Sequence, residues 1–382
     1  MRNAIKISII VPIYHGKKYI ASLIEQVEAC KQKLNKGIKV ELVLSNDSPD
    51  DKLEEIYASN LVNIVLVNTH INRGIHGARV QGLKACRGEY VVFLDQDDKI
   101  FPEYIDSQLK HIENNPAVVC RCIHEKKQFY NVDNSFEKMI SKDYMLKEGC
   151  PIISPGQVML RKSSIPQVWI ENIMKTNCAD DYFLWLCLVG KGERFSLNQE
   201  ILFEHIVEGN NTSWDMNRMI DSEHEMFELL RNNQIFIGEE LNKIDKLEER
   251  LRRKHVDLLV KFRKMFMVVN DWLQLKEEGY HLDEYMSQQG IRKIAIYGAG
   301  YVGKRLKGEL EGSSVEVSFF IDRNAEFITE KIPVYTLENA PQGIDAIIIT
   351  MVQGYENVIK QLQGKYNVKI VTIRDLVSYL AS

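Results

Sequence analysis

The stretch Phe93-Leu94-Asp95-Gln96-Asp97-Asp98 decides how this chain is read. Residues 90–94 are apolar throughout, the pattern of a strand buried on both faces. Three carboxylates crowd its C-terminal end. Like charges so close repel one another, and a hard divalent cation bound through oxygen would turn that crowding into a favourable arrangement. The carboxyl ends of strands are also where open α/β sheets bind ligands. The stretch therefore points to a metal site that holds a phosphorylated ligand. A solvated acidic turn is the plain alternative.

On either side of it the first third of the chain alternates between strand and helix. Apolar runs at 7–13, 40–44 and 63–67 read as strands, as does 90–94. Ile20, Leu23, Ile24, Val27 and Cys30 recur on one face of a helix over 17–33, and helices are expected at 53–57 and 76–86. Such alternation implies a mainly parallel sheet covered on both faces. Residues 115–212 are less regular, with a polar stretch at 125–134, a turn at Ser154-Pro155-Gly156 and a helix from Asp180. Residues 215–285 are helical and charge-rich, Gly279 and Gly290 bracket a linker, and a second α/β unit opens at Ile291.

The bulk numbers fit this picture. A chain of 382 residues suggests two or three domains. It is 45% hydrophobic and 27% charged, with a net charge of −4, so nothing global points to nucleic acid. No apolar run approaches the ~20 residues that cross a bilayer. The start reads as a short strand rather than a signal peptide. Seven cysteines at irregular spacings suggest reduced thiols and a cytoplasmic setting, which makes the glycosylation match at Asn210-Asn211-Thr212 irrelevant. Cys120-Arg121-Cys122 reads as ordinary packing, and no Cys or His spacing suggests zinc.

Four further segments carry chemistry. Val11-Pro12-Ile13-Tyr14 ends the first strand and Asn46-Asp47-Ser48-Pro49 the second. A carboxylate such as Asp47 can accept from the imide N–H of a pyrimidine, although turn and cap chemistry also favours Asp there. Asn72-Arg73-Gly74 precedes a helix bearing Arg79, and a helix N-terminus beside an Arg suits phosphate; a surface Arg after an ordinary turn is the alternative. Asp180 and Asp181 open an apolar helix, where acids stabilise the first turn or supply a general base.

In this order and at these separations the segments resemble the family 2 glycosyltransferases of the GT-A fold, over roughly residues 5–212. The family's Val-Pro-x-Tyr is Val11 to Tyr14, with His15 where Asn is frequent. Its Asp-Asp-Gly-Ser is Asn46 to Pro49, with one acid replaced. Its Asn-x-Gly…Ala-Arg-Asn-x-Gly is Asn72 to Gly82, with Val80 for Asn. Its Asp-x-Asp is Asp95 and Asp97, and its Glu-Asp…Leu-Trp-Leu-Arg is Asp180 to Cys187, with Cys187 for Arg.

The resemblance implies an α/β fold: a GT-A mixed sheet flanked by helices, the nucleotide-diphospho-sugar transferase architecture. It implies a nucleotide-sugar donor, most often a UDP-sugar, contacted by Pro12, Tyr14, Asp47, Asn72, Gly74, Arg79, Asp95 and Gln96. Asp47 would hold the base and Asp95 the ribose or the metal's shell. Asp97, with Asp95 and His205, would bind Mn²⁺ or Mg²⁺. Asp181 would be the general base of an inverting transfer, and Asp180 and Trp185 would contact the acceptor, a glycan or lipid-linked molecule of bacterial surface polysaccharide synthesis. Cys187 would remove a positive charge near the base.

Beyond the family segment, Gly298, Gly300 and Gly303 follow a strand at 293–297, and Asp322 ends the next one. This is a dinucleotide fingerprint in its proper context. The unit resembles small Rossmann-like domains appended to polysaccharide-synthesis enzymes, which bind a nucleotide or serve assembly. The expected division is 1–212 transferase, 213–288 helical extension and 289–382 Rossmann-like. Arg250, Arg252, Arg253, Lys254, Lys261, Arg263 and Lys264 interleave with Leu251, Leu258, Leu259, Phe262 and Phe266, so the helix lies on an anionic membrane surface or packs on a neighbouring domain or twin subunit. Two competing functions remain: an NAD-dependent oxidoreductase, which lacks a catalytic partner domain, and a nucleotide- or NAD-binding sensor or scaffold with a degenerate transferase domain.

Overall fold

A computed structural model describes residues 5–54, 57–124, 127–129, 135–207 and 215–381. They form two compact units, Met1–His255 and Val256–Ser382. In the first, the apolar runs become strands β1 (Ile5–Ile13), β2 (Lys39–Asn46), β3 (Asn63–Asn68) and β4 (Tyr90–Phe93). After them come β5 (Lys99–Ile100), β6 (Ala117–His124), β7 (Lys127–Phe129), β8 (Val158–Arg161) and β9 (Phe195–His205). They form one mixed sheet in the order β3-β2-β1-β4-β8-β6-β9-β5, with β7 beside β6. The first four strands are parallel, and β8 runs antiparallel to both β4 and β6.

This order places the site. The chain steps outward from β1 to β2 to β3, then returns to lay β4 on the other side of β1. A crevice opens at the carboxyl ends of two strands whose connections leave in opposite directions. Those ends carry Pro12 to Tyr14 and Asp95 to Asp97. Ile7, Ile9, Ile10 and Val11 are fully buried in β1, as β-branched residues between two covering layers should be. The Ile20–Lys33 helix covers one face with Ile20, Leu23, Val27 and Cys30, and its first expected turn is a separate 3₁₀ turn, Lys17–Tyr19.

Two buried polar links tie strands to loops. Glu41, fully buried in β2, accepts from Ser8 Oγ at 2.6 Å and from the Arg87 N–H at 2.5 Å. The helix expected at 53–57 is not formed by Leu53, Glu54 or Tyr57; residues 55 and 56 lie outside the described ones. The Asn68 amide accepts from the Leu53 N–H at 2.9 Å and donates to its carbonyl at 3.0 Å, which takes both backbone groups of Leu53 out of any helix. Most of the polar stretch 125–134, and Asn210 to Thr212, also lie outside the described residues.

The charge-rich stretch is helical at Met216–Asn232, Glu239–Glu277 and Leu282–Gln288. In the second unit β10 (Lys293–Tyr297), β11 (Glu316–Ile321), β12 (Val334–Tyr335), β13 (Ala346–Ile349) and β14 (Lys369–Thr372) pair in the order β12-β11-β10-β13-β14, all parallel. Val268, Trp272 and Leu275 of the long helix belong to this unit's core, and the Trp272 indole donates to Glu309 at 2.7 Å.

The Gly74–Ala85 helix carries much of the site and approaches β1 closely: a Cβ at Gly82 would lie 2.3 Å from Ile10 Cγ2. Gly82→Ala gains at most ~1 kcal/mol of helix propensity. Overpacking against a fully buried Ile costs about 1–3 kcal/mol. The variant is therefore expected to unfold at lower denaturant concentration than the parent, by chemical denaturation followed by circular dichroism.

Candidate active site

A cavity of about 590 Å³ opens at the crevice. Pro12, Tyr14 and Asp47 line it from the ends of β1 and β2, and Asn72, Gly74 and Arg79 from the turn and helix that follow β3. Asp95, Gln96 and Asp97 enter after β4, Asp180 and Asp181 from the first turn of the Asp180–Gly190 helix, and His205 from the end of β9. Residues up to 206 apart in sequence, Pro12 and Arg218, thus meet in one space, as 218 minus 12 gives.

Arg79 sits at its base, 3% exposed. Its guanidinium pairs with Asp95 at 2.5 Å through Nη2 and with Asp180 at 2.6 Å through Nη1. Burial opposes its charge, but the acids around it, Asp180 first, hold it firmly cationic. The expected roles change accordingly. Arg79 is engaged by two carboxylates rather than held out to a phosphate. Asp180, itself buried, lines the cavity and gives one oxygen to Arg79, and one Asp95 oxygen is already taken.

Asp181 is the neighbour that this pairing leaves open. Its Oδ1 accepts only the adjacent Tyr182 N–H, at 2.7 Å, among the bonds described. Burial and the negative charge of Asp180 push its pKa up to about 7, and the Arg79 cation limits the rise. A carboxylate poised near neutrality suits proton abstraction.

Asp47 accepts the Arg73 N–H at 2.8 Å on one oxygen, and burial raises its pKa. Asn46 donates to Asp51 O at 3.0 Å and to Asn68 Oδ1 at 2.9 Å, bonds that a carboxylate could not make. Asn72 Oδ1 accepts the Gly74 N–H, and Gly74 has φ +76°, where a Cβ would also strike Asn177 Oδ1 at 2.4 Å. Gln96 holds both the N–H and the carbonyl of Tyr14, at 3.1 and 3.3 Å. His15 has φ +45°, a region that Asn and His tolerate better than most residues.

The acids after β4 divide by environment. Asp98 is buried and saturated: it accepts from His205 Nδ1 at 2.8 Å, the Ile206 N–H at 3.0 Å and Ser154 Oγ at 2.8 Å. Asp97 has no side-chain partner among the described residues, and burial, then Asp98 and Asp95, push its pKa up to about 6. His205 loses affinity for a proton through burial but regains more from Asp98, so its pKa is raised. A divalent cation would relieve the crowding at Asp97, and Asp98 leaves the His205 Nε2 as the free ring nitrogen, as carboxylates do for metal-binding histidines. The residues fit a cation through Asp97 and His205. The three-ligand set with Asp95 is not assembled: among the described residues no three acidic, His or Cys side chains group around one point, and Asp95 is held by Arg79.

Residues 8–169 match the sequence profile described as Glycosyl transferase family 2. Over this segment the chain is similar to glycosyltransferase family 2. A protein of Rickettsia felis named as an uncharacterized glycosyltransferase is 25% identical over 226 residues, 56% of this chain and 35% of that protein. The minor teichoic acid biosynthesis protein GgaB of Bacillus subtilis is 21% identical over 249 residues, 59% of this chain and 27% of the relative. The chain thus spans about a third of the Rickettsia relative's length, at 35%. A solved structure of Staphylococcus aureus TarS residues 1–349 with UDP-GlcNAc is 18% identical, covers 66% of this chain and 73% of that one, and superposes with a TM-score of 0.48.

One expected contact, Trp185, falls elsewhere, and Cys187 does not lie beside the cavity. Trp185 and Cys187 are fully buried in the core, Trp185 edge-on to Phe195, and neither lines the cavity. The Asp180–Gly190 helix is apolar all round, so only its first turn reaches the site. Conversely, Ser154, Asn177, Cys178 and Arg218 line the cavity without any expectation from sequence. Arg218 lies on the exposed first turn of the Met216–Asn232 helix, and nothing in its sequence neighbours marks it. The Cys178 thiol is pushed up to about 12 by burial and stays protonated.

In the second unit Gly298 has φ +102°, and a Cβ at Gly303 would lie 2.0 Å from the Gly298 carbonyl oxygen, so both glycines are needed for the turn. Gly300 stands in open space at the start of the Tyr301–Leu310 helix. Asp322 accepts the Ala299 N–H at 2.9 Å and the Asn324 N–H at 2.9 Å. Its carboxylate holds the turn through one bond on each oxygen.

The raised pKa of Asp181 makes stability depend on pH. Below about 3.8 the group is protonated in both states; as pH rises to about 7 the unfolded chain ionises first and the folded state loses ground. Asp181→Asn escapes this penalty. It is expected to melt above the parent at pH 8, with the gap closing as pH falls to 4, by thermal unfolding across that range.

Proposed function

We propose that the first unit transfers a sugar from a nucleoside-diphosphate sugar, with UDP the preferred carrier, to a hydroxyl of a glycan or lipid-linked acceptor, with inversion at the anomeric carbon. The observation that carries the reading is Asp181: a carboxylate raised to about 7 in the same cavity as Asp47 and Asp97. The name of the Bacillus subtilis relative supports an acceptor among cell-surface polymers.

The chain's own groups suffice to describe the steps. Asp47, with one oxygen on the Arg73 N–H, keeps the other for the imide N–H of uracil. Gln96 fixes the Tyr14 backbone, and so shapes the wall beside the base. Asp97 and His205 would hold Mn²⁺ or Mg²⁺, which supplies neutralising charge for the departing diphosphate. Asp181 takes the proton of the acceptor hydroxyl while its oxygen bonds to the anomeric carbon. The bond from that carbon to the diphosphate breaks on the opposite face, and the diphosphate leaves with the electron pair. Arg79 keeps Asp180 neutralised, so that Asp181 is ionised near neutral pH.

A panel of nucleotide sugars, assayed for transfer and for slow hydrolysis with and without Mn²⁺, tests the reading. Asp181→Asn is expected to lower turnover by roughly 10²–10⁴ and leave donor affinity unchanged. Retention of near-parental rates would remove Asp181 as base. Because the base must be ionised, the rate should rise with pH and level off above about 7. Asp97→Ala should abolish the part of the activity that chelation removes and Mn²⁺ restores.

A further inference from the structure

The Glu239–Glu277 helix carries an apolar face for which sugar transfer has no use. Among the described residues, seven of the fourteen exposed large hydrophobic side chains lie on it, between Val256 and Leu273. Phe266 is 68% exposed, Leu273 57% and Phe262 53%. At 3.6 residues per turn, Leu259, Phe262, Phe266 and Leu273 share an arc of about 60°. The opposite side of the same turns, Val268, Trp272 and Leu275, is buried in the second unit's core. The helix is thus anchored on one side and presents Phe and Leu to solvent on the other. Isolated exposed hydrophobics need no explanation, but a contiguous group marks an interaction surface.

Charge selects the occupant. Arg252, Arg253, Lys254, Lys261, Arg263 and Lys264 are all exposed, and Asp257 is the one acid between positions 252 and 264. Only Arg253 of the six has an ion-pair partner among the described residues, Glu249 one turn away. Two copies meeting through this face would bring like charges together. A surface of lipid phosphates would match them. The helix is too polar to cross a bilayer, so it would lie in the plane of the headgroups.

We propose that this face docks the protein on an anionic lipid bilayer, with Leu259, Phe262, Phe266 and Leu273 entering the acyl boundary and Arg252 and Arg263, the two cations that border this arc, meeting lipid phosphates. The inference stands on the helix alone and survives if the transferase reading fails.

Flotation of the full chain with vesicles tests it. The protein is expected to float with vesicles containing phosphatidylglycerol but not with phosphatidylcholine alone, and to be released as salt is raised. Phe262→Ser with Phe266→Ser should weaken binding by at least about tenfold. Arg252→Gln with Arg263→Gln should weaken it by at least about tenfold. All four side chains are exposed, so an unchanged melting temperature accompanies both sets. Binding to neither vesicle, or to both equally, overturns the proposal. So does a dimer in light scattering that the two Phe substitutions dissolve while the parent ignores vesicles, which would make the face a contact between copies.

Discussion

A guanidinium buried between two carboxylates holds the site of this protein together. Arg79 reaches Asp95 after β4 and Asp180 at the head of a helix 85 residues further on, as 180 minus 95 gives. The two carboxylates balance its charge where water reaches little of it. Removal of one partner from a buried pair costs about 3–5 kcal/mol, because the survivor is left charged and unpaired. The side walls support the same geometry. His76, fully buried, accepts the Met174 N–H on Nδ1, so its Nε2 donates to the Trp169 carbonyl, and the Trp169 indole donates in turn to the Asp180 carbonyl. Burial lowers the His76 pKa, which keeps the ring neutral for both bonds.

The site works through charges that the fold tolerates poorly. Asp97 and Asp181 both have raised pKa values because burial and like neighbours oppose ionisation. A fold selected for stability alone would replace them with amides. Their presence beside a saturated Asp98 separates groups that organise the site from groups that remain available to ligands.

The parallel half of the fold was legible because its strands are continuous apolar runs, and β10 ends where its pattern ends, at Tyr297. The cavity residues were legible as motifs, yet their roles were not. Sequence places Arg79 on a helix but cannot show that Asp95 and Asp180 converge on it from two sides. Trp185 and Cys187 misled because an all-apolar helix gives no periodicity to tell its wet end from its dry one. The helix expected at 53–57 fails at Leu53 because the determinant, Asn68, lies outside the window. Arg218 had no local signal at all.

The amide of Asn46 has a consequence for how this chain could change. Its donors go to Asp51 O and Asn68 Oδ1, while Asn68 spends its own amide on both backbone groups of Leu53. An acid at 46 would set a carboxylate against two oxygens. A flip of Asn68 to meet it would free Leu53. The three positions are therefore coupled, and an acid at 46 is closed to a single substitution by its neighbours rather than by its own chemistry.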